Sequence, residues 1–324
     1  MLKAMRAFVL ACAAAIACGT SPESSDASVD ASADTLGEKA NAIDQTIAND
    51  ALCNTLPNFY WEIGDKNGAL LSGQVGSLYG ATTEMDIASA SKLVFGAYVV
   101  QRFSHDFQDL DGNAMRMLSG YVSFEYASCL TSTTVADCFS QGSNATFTAA
   151  DVGMFDYGGG HFQNYAINLG LGDDDDDALA AEMKTMVGSE LTFTYSSPQL
   201  AAGIHTSASD YAAFLRKILS STLAIHDALG VNAVCTLPSS CPTAVYSPAP
   251  AAWHYSYAHW VEDDPTTGDG AFSSPGAFGF YPWIDATKTY YGILARYSLD
   301  ANAYIESAEC GAVIRRAFVS GQAQ

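Results

Sequence analysis

Positive charge is scarce in this chain: 14 lysines and arginines face 35 aspartates and glutamates, a formal net charge of −21 over 324 residues. Phosphate backbones need a concentrated basic surface and no Lys/Arg cluster occurs, so nucleic acid is excluded as a partner. The acidity itself favours solubility and says little about fold. Nucleotide motifs are missing too: there is no GxGxxG and no P-loop, hence no support for a nucleotide cofactor, and no cofactor is expected at all. A Gly-x-Ser-x-Gly elbow is absent, which argues against the strand-turn-helix nucleophile that such an elbow builds. Zinc finds no HExxH and no CxxC, and no metal site is expected.

What is present is ample apolar material, 49% of residues, enough for one large core. The first eighteen residues, MLKAMRAFVLACAAAIAC, have a short basic start and an apolar run of signal-peptide length, too short to be a comfortable membrane span. AIAC at 15–18 resembles a bacterial lipobox, which would make Cys18 a lipidated first residue and the chain an exported lipoprotein held at a periplasmic or outer-membrane surface. A plain signal peptide cut nearby, with Cys18 incidental, is the other reading. Residues 19–37, rich in Ser, Asp and Ala, read as a flexible tether, because they cannot bury enough surface to offset the entropy of ordering. The folded domain is then 38–324.

Eight cysteines less Cys12 and Cys18 leave six, an even number in a chain read as exported, so disulfides are favoured over metal ligation. Local spacing suggests Cys129 with Cys138 and Cys235 with Cys241, leaving Cys53 and Cys310 to tie the domain's start to its end. Sequence alone does not choose among the possible pairings.

Along the chain, FYWEIGDKNGALLSGQVG (59–76) alternates on both sides of a turn and predicts a β-hairpin. SASKLVFGAYVVQRF (89–103) has helical spacing behind serines that can cap its amides, which places Ser89 at a helix N-terminus. Turns and a helical stretch after Gly160 follow, then a helix over 207–221 capped by Ser207 or Ser209, with Ala212, Phe214, Leu215 and Leu219 offered to a core. WHYSYAHWVED (253–263) and FGFYPWIDATKTYYGILARYSL (278–299) read as three antiparallel strands, and a helix is expected from about 303 to 319. The layout is α+β, with the first and last elements adjacent. The acidic run 173–177 lacks the glycine and glutamate spacing of a calcium loop and reads as a solvated turn.

The chemistry concentrates in DIASASKLVFG (86–96). Ser89 and Lys92 are three apart on one helical face, close enough for the amine to share the hydroxyl proton. Ile87, Leu93, Val94 and Phe95 would desolvate the lysine and favour its neutral form, and the helix N-terminus would stabilise negative charge developing near Ser89. With seven lysines and abundant serine, one such pair is also expected by accident.

This stretch resembles the first motif of the class C β-lactamase-like and penicillin-binding-protein-like serine hydrolases, which include esterases, D-amino-acid peptidases and 6-aminohexanoate-oligomer hydrolases. The resemblance, in order and context over roughly residues 55–318, implies a β-lactamase-like fold: an antiparallel sheet with flanking terminal helices and a mostly helical subdomain at about 105–225. FDYGGGHFQNYA (155–166) is similar to the family's second motif and makes Tyr157 the counterpart of its tyrosine; Tyr195, in FTYSSPQLAAG, is the competing candidate. SSPGAFGFYPWID (273–285) is similar to the third motif, so Ser274, Pro275 and Gly276 occupy the family's triplet and the amides of Ser89 and Ala277 would form an oxyanion hole.

Two positions depart from the pattern. Gly159 stands where the family has an asparagine, with His161 or Asn164 as conceivable substitutes, and Ser274 stands where it has a cation that grips a substrate carboxylate. The resemblance therefore implies a secreted serine hydrolase, esterase-like more than β-lactamase, whose substrate is a small-molecule or peptide-like ester or amide contacted by Ser274, Gly276 and Gly159. His105, His205, His226, His254 and His259 are scattered and read as packing or rim groups. The rival is a catalytically degenerate surface lipoprotein using the fold as a binding or scaffold module. It predicts Lys92 turned away from Ser89, or a cleft filled by Tyr255, Trp260 or Phe278.

Overall fold

The computed structural model describes residues 27–104 and 112–324. The expected signal segment, Cys18 and its lipidation, residues 19–26 of the tether, His105 and the first residues of the helical subdomain lie outside these. No helix among the described residues is long and apolar enough to cross a membrane.

Eight strands form one antiparallel sheet: β1 Phe59–Asp65, β2 Gly68–Val75, β3 Val234–Cys235, β4 His254–Tyr255, β5 Trp260–Glu262, β6 Ala271–Ser273, β7 Tyr281–Ile284 and β8 Tyr291–Ala295. Their order is β2-β1-β8-β7-β6-β5-β4-β3, so the first hairpin pairs with the last strand, Tyr60 opposite Ala295. Period-two alternation gives the sheet two buried faces. Phe59, Trp61, Ile63, Tyr281, Trp283 and Leu294 point to one, and Tyr60, Tyr291, Ile293 and Ala295 to the other.

The first face is covered by two helices from opposite ends of the chain, α1 (Ala27–Asn49) and α6 (Ala303–Ser320), through Ala42, Ile43, Val313, Ile314, Ala317 and Phe318. The disulfide between Cys53 and Cys310 joins the two ends beside this layer; Cys129 is bonded to Cys138 and Cys235 to Cys241. On the second face lie α2 (Ser91–Arg102), α3 (Gly160–Asn168), α4 (Asp176–Val187) and α5 (Ala208–Leu219) with their connecting loops. The Ser207 hydroxyl caps α5, and Ala212, Phe214, Leu215 and Leu219 are buried. Asp175, within the acidic run, caps α4; no group of residues able to hold a metal ion is present among those described.

Three expectations change. The tether was expected to run to residue 37, but α1 begins at Ala27: six of its 23 residues are Ala, the best helix former, and from Leu36 onward it finds an apolar layer to cover. Residues 253–299 hold five strands rather than three. WHYSYAHWVED breaks where Ala258 turns through φ 61° and the Ser256 amide donates to the His259 carbonyl, and the short β6 lies in the Gly/Ser-rich stretch that resembles a loop. The serines before α2 do not cap it, as described below.

One buried ionic cluster fastens α6 to the sheet. Arg315, 2% exposed, donates to Glu262 at 2.7 Å, to both oxygens of Asp269 at 2.8 Å and to the Tyr281 hydroxyl at 2.7 Å. Removing one partner strands the other charge in a low dielectric. Arg315→Met should therefore lower unfolding free energy by about 3 to 5 kcal/mol in urea titration, and Glu262→Gln added to it should recover part of that loss.

Candidate active site

Ser89 stands where a short strand turns into a helix. Met85–Asp86 pairs with Ile204–Thr206; the chain then passes through Ala88 at φ 45° into a single 3-10 turn, Ala88–Ala90, that continues as α2. Left-handed backbone costs alanine on the order of 1 kcal/mol, so packing must hold it: Ala88 and Ala90 are buried while Ser89 stays half-exposed. No side chain caps this helix start. The Ser89 hydroxyl instead accepts from Lys92, and the Ser91 hydroxyl accepts from the Ile204 amide at 3.1 Å.

Lys92 is 4% exposed, and its ammonium donates to Ser89 Oγ at 2.9 Å and to the Ala201 carbonyl at 3.0 Å. Among the described residues it has no carboxylate partner, so burial alone acts on it and lowers its pKa from 10.5 to about 7. Near neutral pH a large fraction of the amine is therefore free to accept a proton. The rival's prediction of a lysine turned away from Ser89 does not hold.

Tyr157 closes the group. Its ring lies 4.9 Å from Lys92 Nζ and is stacked on Trp260 at 5.3 Å. Withdrawal from water pushes the Tyr157 phenol up to about 12, against hydrogen bonding with Ser89 and Trp260 that works the other way. Tyr195 is elsewhere: it pairs with Ile204 in the small sheet, and its hydroxyl is buried without a partner among the described residues.

The turn after β6 comes up against the Ser89 turn. Ser274, buried, donates from Oγ to the Ser89 carbonyl at 3.0 Å, so it braces the backbone instead of presenting a polar group to the cleft. Gly276 is required here, since a Cβ would lie 2.0 Å from the Ile87 carbonyl oxygen. Ala277, next along, is exposed beside Ser89, and its amide has no protein acceptor among the described residues.

Gly159 has a physical counterpart too: a Cβ there would lie 2.5 Å from the Phe124 ring, so an aromatic side chain fills the space an asparagine would need. Neither proposed substitute reaches the pair. His161 is fully buried between the Ser119 hydroxyl (2.7 Å) and the Asp156 carbonyl (2.9 Å), and Asn164 does not line the cleft. His259 is buried with its pKa lowered to about 4 by desolvation, and His254 pairs with Asp263 at the surface.

Two cavities meet at Ser89. One is lined by Pro248, Pro250, Trp253, Trp260, Pro275, Tyr304, Ile305 and Ala308 together with Ser89, Tyr157 and Ala277. The other holds Lys92, Phe124, Tyr126, Asp156, Gly159, Ala201 and Phe278. Trp260 and Phe278 form walls and do not fill the cleft, and Tyr255 is buried behind Tyr157. The Ala201 carbonyl and Phe124 carry no motif and nothing in the linear sequence singles them out, while Trp260, expected only as a residue filling the cleft, is the ring stacked on Tyr157.

The fold recurs in solved structures. A D-amino acid amidase from Ochrobactrum anthropi superposes with a TM-score of 0.59 at 11% identity, covering 88% of this chain and 100% of the other. Simvastatin synthase from Aspergillus terreus does so at 0.55 and 14%, covering 88% and 96%. A β-lactamase from Mycobacterium bovis gives 0.53 and 14%, covering 82% and 96%. The chain has the β-lactamase fold. No protein-family profile matches the sequence and no curated protein does; at these identities the likeness speaks for the fold alone.

Because the 274–277 turn is set against residues 87–90 at van der Waals limit, Gly276→Ala must push the two apart. The expected result is a loss of about 1 to 3 kcal/mol in thermal or urea unfolding and a fall of at least about 10²-fold in the rate at which a fluorophosphonate labels Ser89. Unchanged labelling would mean that the turn does not position the serine.

Proposed function

We propose that this chain is a serine hydrolase that cleaves an ester or amide through an acyl intermediate on Ser89. The observation that carries this is the buried Lys92 amine, 2.9 Å from the Ser89 hydroxyl, without a neutralising carboxylate among the described residues and shifted to about 7. A lysine held in this way has no structural pairing to serve, whereas a neutral amine beside a hydroxyl is what nucleophile activation needs.

In the proposed reaction Ser89 Oγ attacks the substrate carbonyl while Lys92 takes its proton, and the carbonyl π electrons move onto oxygen. The amides of Ser89 and Ala277 receive that oxyanion; the exposed Ala277 amide supports this role. Collapse expels the alkoxide or amine, which takes the proton back through Lys92 or the adjacent Tyr157 phenol. Water, deprotonated by the same pair, then attacks the acyl-serine and leaves a carboxylic acid and the free hydroxyl. Gly276 and Ser274 support the geometry, Gly276 by permitting close approach and Ser274 through the Ser89 carbonyl.

With Ser274 in place of a cation, Lys92 is the sole basic side chain among the described residues lining either cavity, and it is engaged with Ser89, so no separate cation grips a substrate carboxylate, which favours esters and uncharged amides over β-lactams. Three disulfides fit an oxidising compartment and support export; anchoring through Cys18 is part of the same proposal.

A fluorophosphonate probe should attach to Ser89, and a chromogenic short-chain ester should be hydrolysed at a rate that falls by about 10³-fold or more in Ser89→Ala. Label on another residue, or turnover that survives the substitution, would overturn the assignment.

The pH dependence follows from the sign of the Lys92 shift. Protonated lysine cannot act as base, so the acylation rate should climb about tenfold per pH unit below about 7 and level off above it. A profile still climbing to pH 10 would mean that the amine keeps an ordinary lysine pKa.

A further inference from the structure

The cavity on the α6 side of Ser89 is chemically one-sided. Among the described residues no charged side chain lines it. Two of its polar handles are already used: the Tyr304 hydroxyl donates to the Pro248 carbonyl at 2.9 Å, and Trp260 is hydrogen-bonded with Tyr157. What remains facing the space is hydrocarbon and aromatic ring from Pro248, Trp253, Pro275, Ile305 and Ala308. The cavity volume is about 140 Å³, close to the roughly 150 Å³ of an apolar protein cavity that takes benzene.

The wall is also held in place. Ala308 lies two residues before Cys310, which is bonded to Cys53. Arg296 grips the same helical turn through the Ser307 hydroxyl at 2.8 Å, the Ala303 carbonyl at 3.1 Å and Glu306 at 2.6 Å. A preformed pocket of this kind costs little to order when it is filled.

From this we infer that one of the two groups flanking the scissile carbonyl is an uncharged apolar group about the size of a six-membered ring, and that Ile305 and Ala308 of α6 set its size. The inference rests on the hydrolase reading above and names the substrate class for it. A longer aliphatic chain would run out of the cavity's open side into water and gain nothing from its extra length, and a charged group would lose hydration with no counter-charge to meet it.

The test compares three uncharged esters by pH-stat: methyl acetate, methyl phenylacetate with the ring on the acyl side, and benzyl acetate with the ring on the alcohol side. Burial of a ring predicts that one of the two ring esters exceeds methyl acetate in kcat/KM by on the order of tenfold or more, and which one identifies the side that enters the pocket. Ile305 is only half-buried, so Ile305→Asp should fold, which a melting curve checks. It should cut the ring-to-methyl ratio to about threefold or less, and Ile305→Trp, filling the space with ring instead of charge, should cut it as well. If Ser89 is labelled by fluorophosphonate and all three esters react within threefold of one another, the pocket inference falls and the hydrolase reading stands. A ring preference that both substitutions leave untouched also overturns it. Failure of labelling together with absence of any turnover removes the hydrolase reading and, with it, this one.

Discussion

The organisation of the molecule depends on keeping one amine out of water without giving it a counter-ion. Lys92 is enclosed by α2, the Ala201 loop and the Tyr157 ring, and its only polar contacts among those described are two neutral oxygens, Ser89 Oγ and the Ala201 carbonyl. Such a site is expensive, because a buried ammonium loses most of its hydration and neutral acceptors return little. The fold answers with a large apolar cluster around the same helix, in which Leu93, Val94, Phe95, Tyr98 and Val99 are nearly or fully buried. Each such side chain contributes about 1.5 to 3 kcal/mol. The lysine is tolerated because its neighbours on α2 bury so much.

The same economy explains why the site lies at a seam. Ser89 comes from a turn on the helical side and Ala277 from a turn on the sheet side, and a backbone approach that only Gly276 allows draws them together. Neither layer alone contains the complete constellation. The sheet-side half in turn relies on β6 and β7, which are short and gain their rigidity from the buried Trp283, Tyr281 and Arg315 beneath them.

How much of this was legible in the sequence follows from which interactions are local. The hairpin at 59–76 and the helices beginning near 91, 160, 208 and 303 come from periodicity and turn residues, which act over a few positions. Ser89 and Lys92 were readable because their approach is set by helix geometry, and Tyr157 and Ala277 because motif order places them. Phe124 and the Ala201 carbonyl were not, since each meets the site across more than 30 residues and nothing in its own neighbourhood announces the contact, and Trp260 was read only as a filler of the cleft because its stacking on Tyr157 is equally non-local. The helix start was misjudged because a serine at a helix entrance is usually a cap, whereas here Lys92, one turn on, takes the Ser89 hydroxyl and the distant Ile204 amide takes that of Ser91. Extending the tether to residue 37 failed because composition registers the lack of large apolar groups but not that α1 has a surface to cover.

Phe124 against Gly159 sets an order of change. An asparagine introduced at 159 would meet the ring at its first side-chain carbon, whereas a smaller residue at 124, on the wall of the open cleft, leaves room that water can fill. The ring must therefore shrink before position 159 can carry any side chain. As long as Phe124 stays, its neighbour across the cleft is confined to glycine.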